Sequence, residues 1–186
     1  MMKVISGRIK GRSLKTLKGL DIRPTPDKVK GALFNIIGSF IINKKFLDLF
    51  AGSGNIGIEA ISRGAEEVCF VDNDKRSIKL IRENLEKCGI NRGFKIFFED
   101  AVDFIRSRRK TDKFDLIFLD PPYGSDLGGL ALEEISKADV IEQEGLIIYE
   151  HFHKSEVNRK HGLFKLYKQK RLGDTCLSFF HKEIKD

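Results

Sequence analysis

The sequence predicts an α/β domain, a mostly parallel sheet whose strands are joined by crossover helices. From residue 45 onward, short runs of Phe, Ile, Val and Leu alternate with longer stretches of helical periodicity, the pattern that crossover connections impose on a chain. Glycines gather where the first apolar run meets the first helical stretch, and an aspartate closes several of the later runs. With 186 residues, 41% of them hydrophobic, the chain is long and apolar enough to bury the core such a sheet needs. Residues 1–186 read as one domain, in which 1–40 form a basic arm and 41–186 the sheet-bearing core.

In chain order, Lys3–Ile9 and Ser13–Leu17 flank Lys10-Gly11-Arg12 and predict a small hairpin in the arm. Pro24-Thr25-Pro26-Asp27 offers a helix start, with Asp27 or Thr25 capping a helix over Lys28–Ile37. Lys45–Leu49, Val68–Asp72, Lys95–Glu99, Phe114–Asp120 and Gly145–Tyr149 are predicted strands, being short runs rich in aromatic and aliphatic residues. Helices are predicted between them at Ile56–Ser62, Lys75–Lys87, Ala101–Arg106 and Leu127–Lys137. Ile78, Ile81, Leu85 and Cys88 recur at spacings of three or four and draw one apolar helix face. Phe164–Gln169 and Cys176–Lys182, around Arg171-Leu172-Gly173-Asp174, predict an antiparallel hairpin that completes a seven-stranded sheet.

The segment Asp48-Leu49-Phe50-Ala51-Gly52-Ser53-Gly54-Asn55-Ile56-Gly57 lies where the first core strand becomes a helix. Glycines there allow a tight turn and close approach of backbone amides to a ligand. Gly52, Gly54 and Gly57 spell G-x-G-x-x-G, which a dinucleotide site would also use. Asp72 ends the second strand 20 residues after Gly52, where a carboxylate can accept ribose hydroxyls, and Asn73 follows it. Asp100, with Ala101 beside it, follows the third strand, and Asp120 the fourth. Any one of these aspartates could be a helix cap. Open α/β sheets bind ligands beyond the carboxyl ends of their strands, so the four together predict a nucleoside-type ligand.

The fourth strand runs into Asp120-Pro121-Pro122-Tyr123, which holds two of the four prolines in the chain. Proline pins its own φ and restricts the residue before it, so the loop should be rigid. A carboxylate, carbonyls and an aromatic ring held rigidly suit a flat base that bears an amine. Asp120 and the Pro121 carbonyl would accept its N–H groups, and Tyr123 would stack on its ring.

Asp48–Gly57 with Asp72 and Asp100 resembles the Rossmann-like class I methyltransferases, and Asp120–Tyr123 resembles the N/D-P-P-Y/F/W motif of those that methylate amines. Gly7-Arg8-Ile9-Lys10-Gly11-Arg12-Ser13-Leu14, with Arg23-Pro24-Thr25-Pro26-Asp27-Lys28-Val29-Lys30 and Phe34-Asn35, is similar to the bacterial 16S rRNA guanine-N2 methyltransferases of the RsmD type. The resemblance covers nearly the whole chain and is weakest after Glu150. It implies S-adenosylmethionine as cofactor, held by Asp48, Phe50, Ala51, Gly52, Ser53, Gly54, Asp72, Asn73, Asp100, Ala101 and Asp120. It implies a catalytic loop of Asp120, Pro121, Pro122 and Tyr123 around the target guanine. It also implies 16S rRNA, within an assembling small subunit, guided by Arg8, Lys10, Arg12, Arg23, Thr25 and Lys28. Two positions depart from that family's usual pattern: Ile9 stands where an aromatic is common, and Lys30-Gly31 where an Arg-Glu pair is common.

Charge is unevenly spread: residues 1–45 carry +9, residues 46–150 carry −7 and residues 151–186 carry +5. A basic arm suits a polyanion such as RNA. Three scattered cysteines and no histidine cluster predict reduced thiols and no metal site. The absence of a long apolar run predicts a cytoplasmic protein without a membrane span, and a monomer is expected. Arg106–Lys113 reads as a solvated loop, and His151 and His153 as surface residues. Adenine in DNA or another RNA is the neighbouring substrate class. An NAD-dependent oxidoreductase and a non-catalytic RNA-binding assembly factor are the readings from other classes.

Overall fold

The computed structural model describes residues 2–16 and 26–183. The arm supplies β1 (Met2–Lys3), β2 (Ser13–Leu14) and α1 (Asp27–Ile37), which leads into a 3-10 turn at Gly38–Ile41. The core follows as β3 (Lys45–Leu49), α2 (Asn55–Ser62), β4 (Glu67–Asp72), α3 (Lys75–Lys87), β5 (Phe94–Phe98), α4 (Ala101–Arg106), β6 (Phe114–Leu119) and α5 (Leu127–Ala138). It closes with β7 (Ile141–Phe152), β8 (Lys160–His161), β9 (Phe164–Leu172) and β10 (Thr175–Lys182). The main sheet runs β5-β4-β3-β6-β7-β10-β9-β8. Its first five strands are parallel, and the last three are antiparallel to their neighbours.

This order positions the site. From β3 the chain steps outward through β4 to β5, then returns to the other side of β3 for β6 and β7. The reversal opens a crevice beyond the carboxyl ends of β3 and β6, where open α/β sheets take their ligands. Both faces of the sheet are apolar, as crossover helices demand. One face packs Leu33, Phe34, Ile56, Ile81 and Leu85 of α1–α3, and the other packs Phe104 and Ile105 of α4 with Leu132 and Ile135 of α5. No described helix is long and apolar enough to cross a membrane.

The arm departs from its predicted form. Its strands are two residues each, where the sequence predicts Lys3–Ile9 and Ser13–Leu17, and Leu17 lies outside the described residues. The reason is competition for backbone donors. The Ile5 and Ser6 amides donate to the Glu59 carboxylate at 2.8 and 3.0 Å, and the Arg8 amide donates to the Ser62 carbonyl at 2.8 Å. The middle of the arm therefore binds α2 rather than its own partner strand. Gly7 lies so close to α2 that a Cβ there would stand 2.0 Å from the Ser62 oxygen.

Three further differences concern element ends. Pro26, not Asp27, occupies the cap position of α1, and its carbonyl accepts the Val29 and Lys30 amides; Thr25 lies outside the described residues. Asp27 is the first helical residue, where its charge favours the helix dipole. Strand β7 starts four residues before its apolar stretch, because the register against β6 jumps from Phe114↔Ile141 to Leu116↔Leu146. The polar Glu142-Gln143-Glu144 in that jump hid it from the apolar pattern. A two-residue edge strand, β8, makes the sheet eight-stranded rather than seven.

Candidate active site

The glycine loop after β3 is built from unusual backbone. Phe50, Gly52 and Gly54 have φ of 63°, 55° and 74°. For Phe50 this left-handed conformation carries strain, of the kind that clusters at functional sites. A Cβ on Gly52 would meet nothing nearer than the Phe50 oxygen at 4.0 Å, so that side of the loop is open to a ligand. Gly57 serves packing instead. A Cβ there would lie 2.2 Å from the Phe70 ring, so its absence lets α2 sit closely on β4.

Carboxylates hold this loop from below and beside. Asp48 is 2% exposed and its Oδ2 accepts the Gly57 amide at 2.8 Å. Burial pushes the Asp48 carboxyl well above the usual range, and the nearby charges of Asp120 and Asp72 push the same way. Asp72 Oδ2 accepts the Gly52 amide at 2.7 Å and Oδ1 the Asp74 amide at 2.8 Å. Burial raises this carboxyl too. Each carboxylate oxygen has two acceptor sites, so Asp72 can brace the loop and still take ribose hydroxyls. Asp100 caps α4, its Oδ1 accepting the Val102 and Asp103 amides at 2.9 and 3.3 Å. Among the described residues no donor reaches its Oδ2. The cap reading and the ligand reading of these aspartates are thus compatible. Asn73 is exposed, Ser53 half-buried and Ala101 buried at the head of α4.

Across the crevice, Asp120-Pro121-Pro122-Tyr123 leaves β6 and turns sharply. The Ser125 amide and hydroxyl both donate to the Pro122 carbonyl, at 3.2 and 2.7 Å. No described residue donates to the Pro121 carbonyl. Tyr123 is 52% exposed, and its hydroxyl stands 3.4 Å from Thr175 Oγ1 at the start of β10. Beside this loop opens a pocket of about 440 Å³, walled by Pro122, Tyr123, Leu130, Tyr149, His151 and Phe152. Such a volume fits a nucleoside-sized group. Neither the glycine loop nor Asp72 or Asp100 lines it.

Comparisons with known proteins agree with this geometry. The family model described as Conserved hypothetical protein 95 matches residues 2–181. YlbH of Bacillus subtilis is 38% identical over 182 residues, covering 97% of this chain and 99% of that protein. Ribosomal RNA small subunit methyltransferase D of Haemophilus influenzae is 34% identical, over 80% of this chain and 78% of its own. The chain belongs to the RsmD family of methyltransferases. The yhhF structure from Escherichia coli superposes with a TM-score of 0.87 over 98% of both chains at 24% identity, and the HI0767 structure from Haemophilus influenzae with a TM-score of 0.82 over 97% of this chain and 98% of its own at 27% identity; the fold is that of a class I methyltransferase. Family membership closes the oxidoreductase reading that the glycine pattern had left open.

Within this RsmD frame, some residues singled out in the sequence converge on the crevice and others do not. Asp48, Phe50–Gly54, Asp72, Asp100 and Asp120–Tyr123 all sit at strand ends on one edge of the sheet. Lys28 is exposed in the first turn of α1. Arg8, Lys10 and Arg12 are exposed at the arm's tip, beside Ser62 at the far end of α2. Eight helical residues put that tip about 12 Å from the glycine loop. Arg23 and Thr25 lie outside the described residues.

Other residues emerge only from the structure. Asn84 of α3 is fully buried; its Oδ1 accepts the Lys15 amide at 2.8 Å, and its Nδ2 donates to Lys15 O at 3.1 Å and Ser53 O at 2.9 Å. It pins the arm to the glycine loop. Lys30, also fully buried, bridges the Lys3 carbonyl, Asn55 and Glu59. Burial lowers the Lys30 pKa, against the pull of Glu59 and Asp27. The available signal was a polar Asn84 on the same helical stripe as Ile81 and Leu85. His151, expected at the surface, is 4% exposed, with Nε2 2.7 Å from Ser178 Oγ; burial lowers its pKa. In the basic run, Arg106 pairs with Glu134 at 3.2 Å, and Arg108 lies over the Phe104 ring at 4.5 Å. The run is the exposed loop the sequence predicts, and these two contacts fasten its start to the protein.

Proposed function

We propose that this chain transfers a methyl group from S-adenosylmethionine to the exocyclic N2 amine of a guanine in 16S rRNA, within an assembling small ribosomal subunit. The observation that carries the reading is the rigid Asp120–Tyr123 loop on the strand next to the one bearing the glycine loop. The name of the Haemophilus relative supports small-subunit rRNA as the substrate, and the basic arm supports a polyanion. The reading places the protein in the cytoplasm, acting as a monomer.

S-adenosylmethionine would supply an electrophilic methyl group whose bonding electrons stay with sulfur on transfer. The loop, open at Gly52, fits its methionine end, the remaining acceptor sites of Asp72 its ribose, and Asp100 with Ala101 its adenine. Asp120 and the Pro121 carbonyl accept the two N–H groups of the target amine. That draws the nitrogen out of conjugation with the ring and directs its lone pair at the methyl carbon. Tyr123 holds the base by stacking, which orients the attack. The nitrogen then sheds its extra proton to Asp120 or to water.

Small subunits from cells lacking this protein, incubated with it and radiolabelled S-adenosylmethionine, provide the test. Nucleoside analysis should find label in N2-methylguanosine. Asp120→Ala should lower turnover about 10²- to 10³-fold, the usual loss on removing one transition-state hydrogen-bond partner, with RNA binding kept. Label only on free RNA or DNA would discard the ribosomal substrate, and no transfer to any nucleic acid would discard the enzyme.

A further inference from the structure

Strand β9 carries a feature that the site does not use. Against β10, Phe179 opposes Lys168 but Phe180 opposes Leu166, so Tyr167 is an extra, bulged residue. Residues three apart point to opposite faces of a regular strand. The bulge cancels that for Lys165 and Lys168. Lys165 opposes His181, Lys168 opposes Phe179 and Lys170 opposes Leu177, alternate residues of β10 on one face. The Tyr167 ring lies on this face too, 5.2 Å from the His181 ring and 6.2 Å from that of Phe179. It is 47% exposed, and all three lysines are exposed. Among the described residues no carboxylate pairs with these lysines.

The stripe is also well placed. Phe179, Leu177 and Leu172 share a core cluster with Val4 and Leu14 of the arm and Leu33 of α1, so the stripe lies on the arm's side of the sheet. Strand β9 ends at Leu172 opposite Thr175, the residue that approaches Tyr123. One-face neighbours on a strand are about 6.6 Å apart, a step commensurate with successive phosphates of a nucleic-acid strand. A ring set among cations is the pattern that holds single-stranded nucleic acid by stacking and charge together.

We propose that Lys165, Tyr167, Lys168 and Lys170 form a second RNA-docking surface, gripping the sugar–phosphate backbone that leads to the Tyr123 loop with one base stacked on Tyr167. The proposal rests on the RNA reading above and adds a surface to it. Binding of transcribed 16S rRNA should be measured across a salt series for the wild type, the triple variant Lys165→Gln, Lys168→Gln, Lys170→Gln, and Tyr167→Leu. Leucine keeps an apolar cover over Phe179. The triple variant should bind about 10- to 100-fold more weakly, and its log–log salt slope should fall by roughly 2 to 3, one unit or slightly less for each phosphate no longer neutralised. Tyr167→Leu should weaken binding about tenfold and leave the slope unchanged. S-adenosylmethionine affinity and turnover on saturating small subunits should stay at the wild-type level in both. Arginine in place of the three lysines should restore affinity. Unchanged affinity and slope in the glutamine variant, beside a wild type that binds RNA, would overturn the docking surface alone. A wild type that binds no RNA would overturn the substrate reading itself.

Discussion

Asp48 illustrates how much chemistry a single position can hide. The sequence presents it as one more acidic residue at a strand end, yet it is buried under the loop and braces Gly57. Its folded carboxyl binds a proton more tightly than the unfolded one, because burial disfavours its charge. Its stabilising contribution is therefore full below the ordinary carboxylate pKa of 3.8 and is lost as pH rises toward its higher folded value. Asp72 shifts in the same direction. Asp48→Asn keeps an acceptor for Gly57 and removes the titration. The urea midpoint of the wild type should fall from mildly acidic to neutral buffer more steeply than that of the variant; parallel curves would contradict this assignment.

At the scale of elements, α2 and α3 join the two halves of the function. The arm is fastened to α2 through Glu59 and Ser62, and to the glycine loop through Asn84 of α3. Asn84→Ala would leave the Lys15 amide and the Ser53 carbonyl without this partner. The cost should be about 1–3 kcal/mol of stability, the penalty for stranding a buried polar group. Because the same bonds hold Ser53, S-adenosylmethionine affinity measured by calorimetry should fall as well. A variant that unfolds like the wild type and binds the cofactor equally well would refute the bridge. Core strands and helices were legible here because their apolar periods are strong. The arm's strands were not, because their outcome depended on whether backbone donors met each other or Glu59.

For the whole molecule, charge is sorted by place. Basic residues mark the arm and the carboxyl-terminal strands, while the middle that carries the carboxylates of the crevice is acidic. Under the proposed function, RNA would be held at the flanks and admitted to the centre by shape and hydrogen bonding. With the arm's tip about 12 Å from the glycine loop, Arg8 and Arg12 should affect binding rather than chemistry. Replacing both with glutamine should reduce the salt slope of 16S rRNA binding by roughly 1.5 to 2, with turnover at saturating substrate unchanged. A loss of turnover under saturation would instead place the tip at the reacting base.

The sequence alone determined the alternation of strands and helices, the glycine loop, the aspartates at successive strand ends and the proline-stiffened motif. These are local signals: periodicity, backbone permissiveness and residue type, each read within a few positions. Tertiary structure decided what lies between distant segments. It set the arm against α2, put Asn84 between Lys15 and Ser53, buried His151 against Ser178 and turned Lys165, Lys168 and Lys170 to one face. The physical reason is common to all of these. A backbone donor, a buried side chain or a strand register takes its final partner from whatever packs against it, and that partner lies beyond the few positions over which the local signals are read.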